Sequence, residues 1–238
     1  MGRSLDIYYR DSARTARMDR LNAAFVTPGS RVFDIGAHVG DRTGSFLRLG
    51  ASVVALEPQP RVFRALGLIY GKCPRAVLLP LSAGASVGEI TLHLNARNPT
   101  VATASPDFIA AAAGAPGWEG QVWDSRISVP LTTLDALISQ YDVPDFVKID
   151  VQGHELAVLE GLSTPVPALS FEFTTIQRAE AAACLDRVSA IGRYEYNLSL
   201  GEDHVLRHAT WQSADVLRAE IAALPHSANA GDIYARRV

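Results

Sequence analysis

Cysteine is scarce in this chain. Cys73 and Cys184 are its only two, far apart and without Cys-x-x-Cys spacing. That argues against a disulfide framework or a structural zinc site, and leaves both as small apolar residues suited to burial. Positive charge is not in excess: 22 lysines and arginines against 25 acids give a net charge of −3. A large nucleic-acid footprint would show as a basic surplus, so none is expected. No apolar run approaches the roughly 18 residues needed to cross a bilayer. The stretch from Met1 to Asp11 lacks the apolar core of a signal peptide, and the expectation is a cytoplasmic protein without a membrane partner. With 48% hydrophobic residues, residues 1–238 suit one α/β domain.

The most informative stretch is Val32-Phe-Asp-Ile-Gly-Ala-His-Val-Gly40. A short apolar run ends in Asp34, and Gly36 and Gly40 then open a helix, glycines being the residues that let a backbone pass close to a ligand. Glu57 ends the next apolar run, Ser52-Val-Val-Ala-Leu-Glu57. That spacing is about right for a second strand to bring an acid to a ribose in a nucleotide-binding βαβ unit. A pocket for a nucleotide-like cofactor is the implication.

Around this unit, strands and helices alternate. An amphipathic helix over 11–26 belongs to an N-terminal helical extension, 1–28. Strands are expected at 31–35, 52–56, 76–82, 89–95, 126–130, 145–150 and 168–173, with late strands at 194–200, 204–206 and 232–236. Helices fall at 40–49, 60–71, 132–140 (capped by Thr132 or Thr133), 153–159, 177–191 and 213–223. Residues 96–125, rich in Ala, Gly and Pro, read as a long substrate-side loop with one short helix. Apolar strands alternating with helices call for an open, mostly parallel sheet covered on both faces.

Several segments together resemble the FkbM family of S-adenosylmethionine-dependent methyltransferases. They are the Val32–Gly40 turn, Ala55-Leu-Glu-Pro58, Val129-Pro-Leu-Thr-Thr-Leu-Asp135, Val147-Lys-Ile-Asp-Val-Gln-Gly-His-Glu155 with Val158-Leu-Glu-Gly161, Phe171-Glu-Phe173, and Gly231-Asp-Ile-Tyr-Ala235. The resemblance implies a Rossmann-like class I methyltransferase sheet of seven strands, the last antiparallel. It also implies S-adenosyl-L-methionine as cofactor and a hydroxyl of a small molecule, sugar or glycan as acceptor. His38 stands where the family often has Asn, and Gln152 where an acid is frequent.

In this reading Gly36, Ala37, His38 and Gly40 admit the methionine part of the cofactor, and Asp34 orients its ammonium group. Glu57, followed by Pro58, takes both ribose hydroxyls, as a carboxylate with two oxygens can. Ser82 and Ala83 wall the adenine. Strands 145–150 and 168–173 end at the carboxyl edge where open α/β sheets bind ligands, so Lys148, Asp150, His154, Glu155 and Glu172 are the catalytic candidates. Lys148 shares a face with Asp150, as a structural ion pair or as a catalytic lysine. His154 is the leading base by its intrinsic pKa, with Asp150 or Glu155 as alternatives or as orienting groups. Thr100, Thr103 and Ser105 line the acceptor side, with Trp118 and Trp123 either offering a stacking face there or pinning the loop down, while His93 and Asn95 read as exposed. No spacing demands a metal. Two rivals stand against this reading: a nicotinamide-dependent oxidoreductase, disfavoured because Gly36-x-x-x-Gly40 lacks a middle glycine, and a non-catalytic binding protein. Oligomeric state stays open, a homodimer included.

Overall fold

The computed structural model describes residues 10–238, so the start of the expected N-terminal extension lies outside the described residues. A seven-stranded sheet forms the centre, in the order β3-β2-β1-β7-β8-β10-β9. Its strands are β1 (Arg31–Ile35), β2 (Ser52–Leu56), β3 (Ala76–Leu79), β7 (Phe146–Ile149), β8 (Ala168–Thr174), β9 (Tyr194–Leu200) and β10 (Ala230–Arg237). The pairs from β3 to β8 are parallel, whereas β10 runs antiparallel to both β8 and β9. β1, β7 and β8 are apolar along most of their length because both faces are covered.

On one face lie α1 (Ser12–Asn22), α2 (Asp41–Arg48) and α3 (Pro60–Tyr70), contributing Leu21, Phe46 and Leu66 to the core. The other carries α5 (Leu134–Tyr141), α6 (Glu155–Glu160), α7 (Arg178–Ile191) and α8 (Ala214–Ala223), which pack Leu137, Val158, Leu185 and Leu217. Local chemistry starts these helices where short polar side chains precede an apolar period. Asp11 accepts from the Arg14 amide at 2.9 Å, and Thr133, one of two expected caps, accepts from the Ala136 amide at 3.0 Å. No helix among the described residues is long and apolar enough to cross a membrane.

Three expectations need correction. The strand expected over 76–82 is two: β3 stops at Leu79, and β4 (Ser82–Ala83) pairs instead with β6 (Ser125–Thr132). Pro80, which has no amide hydrogen for a ladder, sits at the break. Together with β5 (Gly88–Leu94), β4 and β6 make a separate three-stranded sheet. Residues 204–206 are not a strand. His204 has φ +54°, which breaks extension, and the segment folds back so that the Arg207 amide donates to the Leu198 carbonyl.

Finally, the long loop has its own small core. A 3-10 turn at Pro99–Val101 and α4 (Pro106–Ala112) pack Val101, Phe108, Ala112 and Trp118 together. Trp118 meets Phe108 edge-on at 5.0 Å between centroids, and Trp123 Nε1 donates to the Val101 carbonyl at 2.8 Å. The tryptophans therefore hold the segment together instead of presenting a stacking face. Asn95 is likewise buried, its Oδ1 accepting from the Arg97 and Asn98 amides.

Candidate active site

A cleft opens at the carboxyl ends of β1, β2 and β7, with Thr100 and Ala102 of the long segment in its wall. Gly36, Ala37, His38, Glu57, Pro58, Ser82, Ala83, Lys148 and Asp150 line it, nine of the residues singled out from the sequence. Asp34 and Gly40 do not, nor do His154, Glu155 and Glu172.

Both glycines of the turn have positive φ, +80° and +86°, as a tight strand-to-helix turn requires. Their second reason is not the expected one. A Cβ on Gly36 would stand 1.9 Å from the Asp150 carbonyl oxygen, so this glycine lets β1 and the end of β7 close together. A Cβ on Gly40 would meet Leu66 and Tyr70 of α3 at 2.6 Å. Gly40 is thus a packing residue under α3. Asp34 is fully buried: its Oδ2 accepts from Thr43 Oγ1 at 2.5 Å, and Oδ1 has no hydrogen-bond partner among the described residues. Burial raises its pKa, against the pull of Lys148, its neighbour across the β1–β7 ladder. It tightens the base of the turn rather than facing the cleft.

Glu57 is 3% exposed, and its two oxygens accept from the His38 amide at 3.0 Å and the Gln59 amide at 2.8 Å. Burial pushes its pKa up to about 7, with those two amides opposing. On the other side of β1, Lys148 Nζ donates to Asp150 Oδ2 at 2.9 Å. Burial alone would discharge this lysine, but Asp150 and Asp34 outweigh it and its pKa is raised. Gln152, with φ +55°, bridges two acids through Nε2, to Asp150 at 3.2 Å and to Glu172 at 2.6 Å. Burial, reinforced by the Asp150 charge, holds the Glu172 pKa well above the ordinary range. An acid in place of Gln152 would add a third carboxylate to this group, whereas the amide supplies a donor.

The expected catalytic cluster is therefore split. Lys148, Asp150, Gln152 and Glu172 come together. Glu155 instead closes its own helix turn, accepting from the Val151 and Gly153 amides at 2.9 Å each, and burial lifts its pKa to about 8. His154 packs under the small sheet, where a side chain on Gly84 would stand 3.3 Å from its Nε2. Burial lowers its pKa, and Nε2 has no partner among the described residues. Thr103 donates to the Gln152 carbonyl at 2.6 Å and Ser105 caps α4, so of the three hydroxyls expected at the acceptor side only Thr100 is on the cleft wall.

Asp41, Arg42 and Glu202 also reach the cleft, and sequence reasoning did not single them out. Arg42 donates to Asp232 on β10 at 3.3 Å and contacts His204 at 3.0 Å. Asp41 follows the glycine turn directly, a usable signal. Glu202 carries none, because only the turn after β9 brings it here.

A family model described as "Methyltransferase FkbM domain" matches residues 34–196. A curated relative, the hexuronic acid methyltransferase AglP of Haloferax volcanii, is 28% identical over 149 residues. The match takes in 61% of this chain and 55% of that protein, so the chain spans just over half the relative's length. Among solved structures, the precorrin-6y C5,15-methyltransferase of Geobacter metallireducens aligns with a TM-score of 0.48 at 11% identity, over 96% of this chain and 90% of that one. A TehB-like S-adenosylmethionine-dependent methyltransferase of Corynebacterium glutamicum gives 0.47 at 11% identity, over 99% and 94%.

Proposed function

Because this chain belongs to the methyltransferase FkbM domain family, we propose that it transfers the methyl group of S-adenosyl-L-methionine to a hydroxyl of a small molecule or glycan. The observation that carries this reading is Glu57, a buried carboxylate in the cleft wall whose oxygens are aimed by two backbone amides. Its remaining lone pairs suit paired ribose hydroxyls. Ser82, Ala83 and Leu92 offer an adenine wall beyond Glu57, and the Gly36–His38 backbone lies under the path of the methionine chain.

When bound, the cofactor supplies a methyl group already activated by its sulfonium. The protein then has to align an acceptor oxygen and take its proton, and alignment alone can supply much of the rate. Asp150 is the acid best placed for the proton: it lies on the cleft, 31% exposed, with Lys148 holding it ionised. Its pKa is lowered overall, as Lys148 and Gln152 outweigh the effect of burial. That makes it a weak base that orients the hydroxyl more than it strips it. Sugar acids are the first acceptors to try, on the strength of the Haloferax volcanii relative's name. Both cysteines are free, which suits a reducing compartment such as the cytoplasm.

Calorimetry with S-adenosylmethionine, S-adenosylhomocysteine and NAD tests the reading. Binding of the two adenosyl ligands and not of NAD is expected. Tight NAD binding without either adenosyl ligand would overturn it, and a methyl-transfer screen over hydroxylated sugars and metabolites then identifies the acceptor.

A further inference from the structure

The amino-acid end of an S-adenosyl cofactor carries an ammonium group, which a carboxylate on the cleft wall can receive in a charge-assisted hydrogen bond. On the functional reading above, Asp34 is unavailable because it is sealed beneath the turn. Four carboxylates line the cleft: Asp41, Glu57, Asp150 and Glu202. Glu57 stands at the β2 side with its two amides, and Asp150 has one oxygen on Lys148 and the other on Gln152. Asp41 is 11% exposed, with Oδ2 on Arg14 at 2.9 Å.

Glu202 differs from these three. All of its hydrogen bonds fall on Oε2, from Arg14 Nε at 3.1 Å, from Arg14 Nη2, and from His204 Nε2 at 3.1 Å. Oε1 has no partner among the described residues, and the side chain is 53% exposed at the cleft. Arg14 Nη2 bridges Glu202 and Asp41, fixing two acids on one wall. The nearby Arg42 is already committed to Asp232. Burial lowers the His204 pKa, against the pull of Glu202. Glu202 follows β9 at one edge of the sheet, whereas Glu57 follows β2 toward the other.

We propose that Glu202, held in place by Arg14, receives the ammonium group of the cofactor's amino-acid end, with Asp41 beside it. The cleft then has a polarity: ribose at Glu57, amino acid at Glu202. A ligand cut off at the thioether, such as 5′-methylthioadenosine, keeps the first contact and loses the second.

Calorimetry on the full chain with S-adenosylhomocysteine and 5′-methylthioadenosine tests this. Glu202→Gln should weaken S-adenosylhomocysteine roughly 10- to 100-fold, the worth of a hydrogen bond to a charged group, and leave 5′-methylthioadenosine unchanged. A purely structural latch would move both ligands together, and equal loss for both, or no loss, overturns the assignment. Should the glutamine variant fail to fold, Glu202→Asp keeps the charge that Arg14 needs but withdraws the oxygen by one methylene. It should still lose S-adenosylhomocysteine selectively, and undiminished affinity overturns the proposal. An unaltered protein that binds both ligands equally well refutes Glu202 alone. One that binds neither refutes the methyltransferase reading and this inference with it.

Discussion

Replacing Glu57 by glutamine should make the cofactor-free protein more resistant to alkaline conditions while spoiling its cofactor site. Glu57 is buried, and its pKa rises from an unfolded value of 4.5 to about 7. A raised carboxyl pKa means that the folded state holds its proton more tightly than the unfolded chain. Stability therefore falls as pH climbs from the unfolded value through the folded one. Over pH 5 to 8 that amounts to about 2–3 kcal/mol, from a shift of this size at about 1.4 kcal/mol per unit. Glutamine removes the titration. It also turns an N–H₂ toward either the His38 or the Gln59 amide, costing about 1–3 kcal/mol for the donor left unpaired. The variant should thus be less stable than the unaltered protein at pH 5 and comparable or better at pH 8. Denaturant melts at both pH values measure the difference, and Glu155 and the histidines cancel because both proteins keep them. Cofactor affinity should move oppositely. In the unaltered protein it should rise with pH up to about 7, as the ionised carboxylate accepts the ribose hydroxyls, and in the variant it should be flat and roughly 10- to 100-fold weaker. Parallel stability–pH curves for the two proteins would refute the reasoning, for they would mean that Glu57 ionises as freely in the fold as out of it.

Gly36→Ala should abolish the folded state, costing more than about 4 kcal/mol, because the new Cβ meets the Asp150 carbonyl in a backbone conformation that alanine resists. A cooperative melt close to that of the unaltered protein would contradict the β1–β7 contact. Gln152→Glu should lower the melting temperature by roughly 3–10 °C at pH 8, where a third carboxylate joins Asp150 and Glu172, and by less at pH 5. Scanning fluorimetry at the two pH values decides it, an equal shift at both counting against the charge argument. His154→Ala should leave cofactor affinity and turnover within about threefold, since its ring lies under Gly84 and away from the cleft. A hundredfold fall in turnover would restore it as the base.

Much of the sheet is legible because buried parallel strands are written as short, mostly apolar runs, unbroken in Val53–Leu56 and interrupted by a single charge in Val32–Ile35 and Phe146–Ile149. The apolar residues around Pro80 disguise one break, since periodicity alone does not distinguish a continuous strand from two that part company at a proline. Glu57 is legible because strand end, acid and spacing coincide. The glycine turn is legible as a turn, but not the reason for it: Gly36 and Gly40 answer to Asp150, Leu66 and Tyr70, contacts that span up to 114 residues of sequence. His154 misleads because an intrinsic pKa says nothing about where a ring points. Arg42 and Glu202 escape for a related reason. A charged residue among many acquires its meaning only from the partner that topology brings to it, and Glu202 owes its place to a turn between two late strands.

The link from Arg42 to Asp232 across 190 residues has a consequence for how the chain is made. As synthesis proceeds, β1, α2 and β2 emerge early and can begin to pack, yet β10, which slots between β8 and β9, is still unwritten. Until it arrives Arg42 lacks its Asp232 partner, and β8 and β9 have no common neighbour. A nascent chain paused short of β10 would thus hold a nearly complete sheet with an unfinished wall. Among the described strands it is the one latest in sequence that completes the sheet and supplies the carboxylate for Arg42.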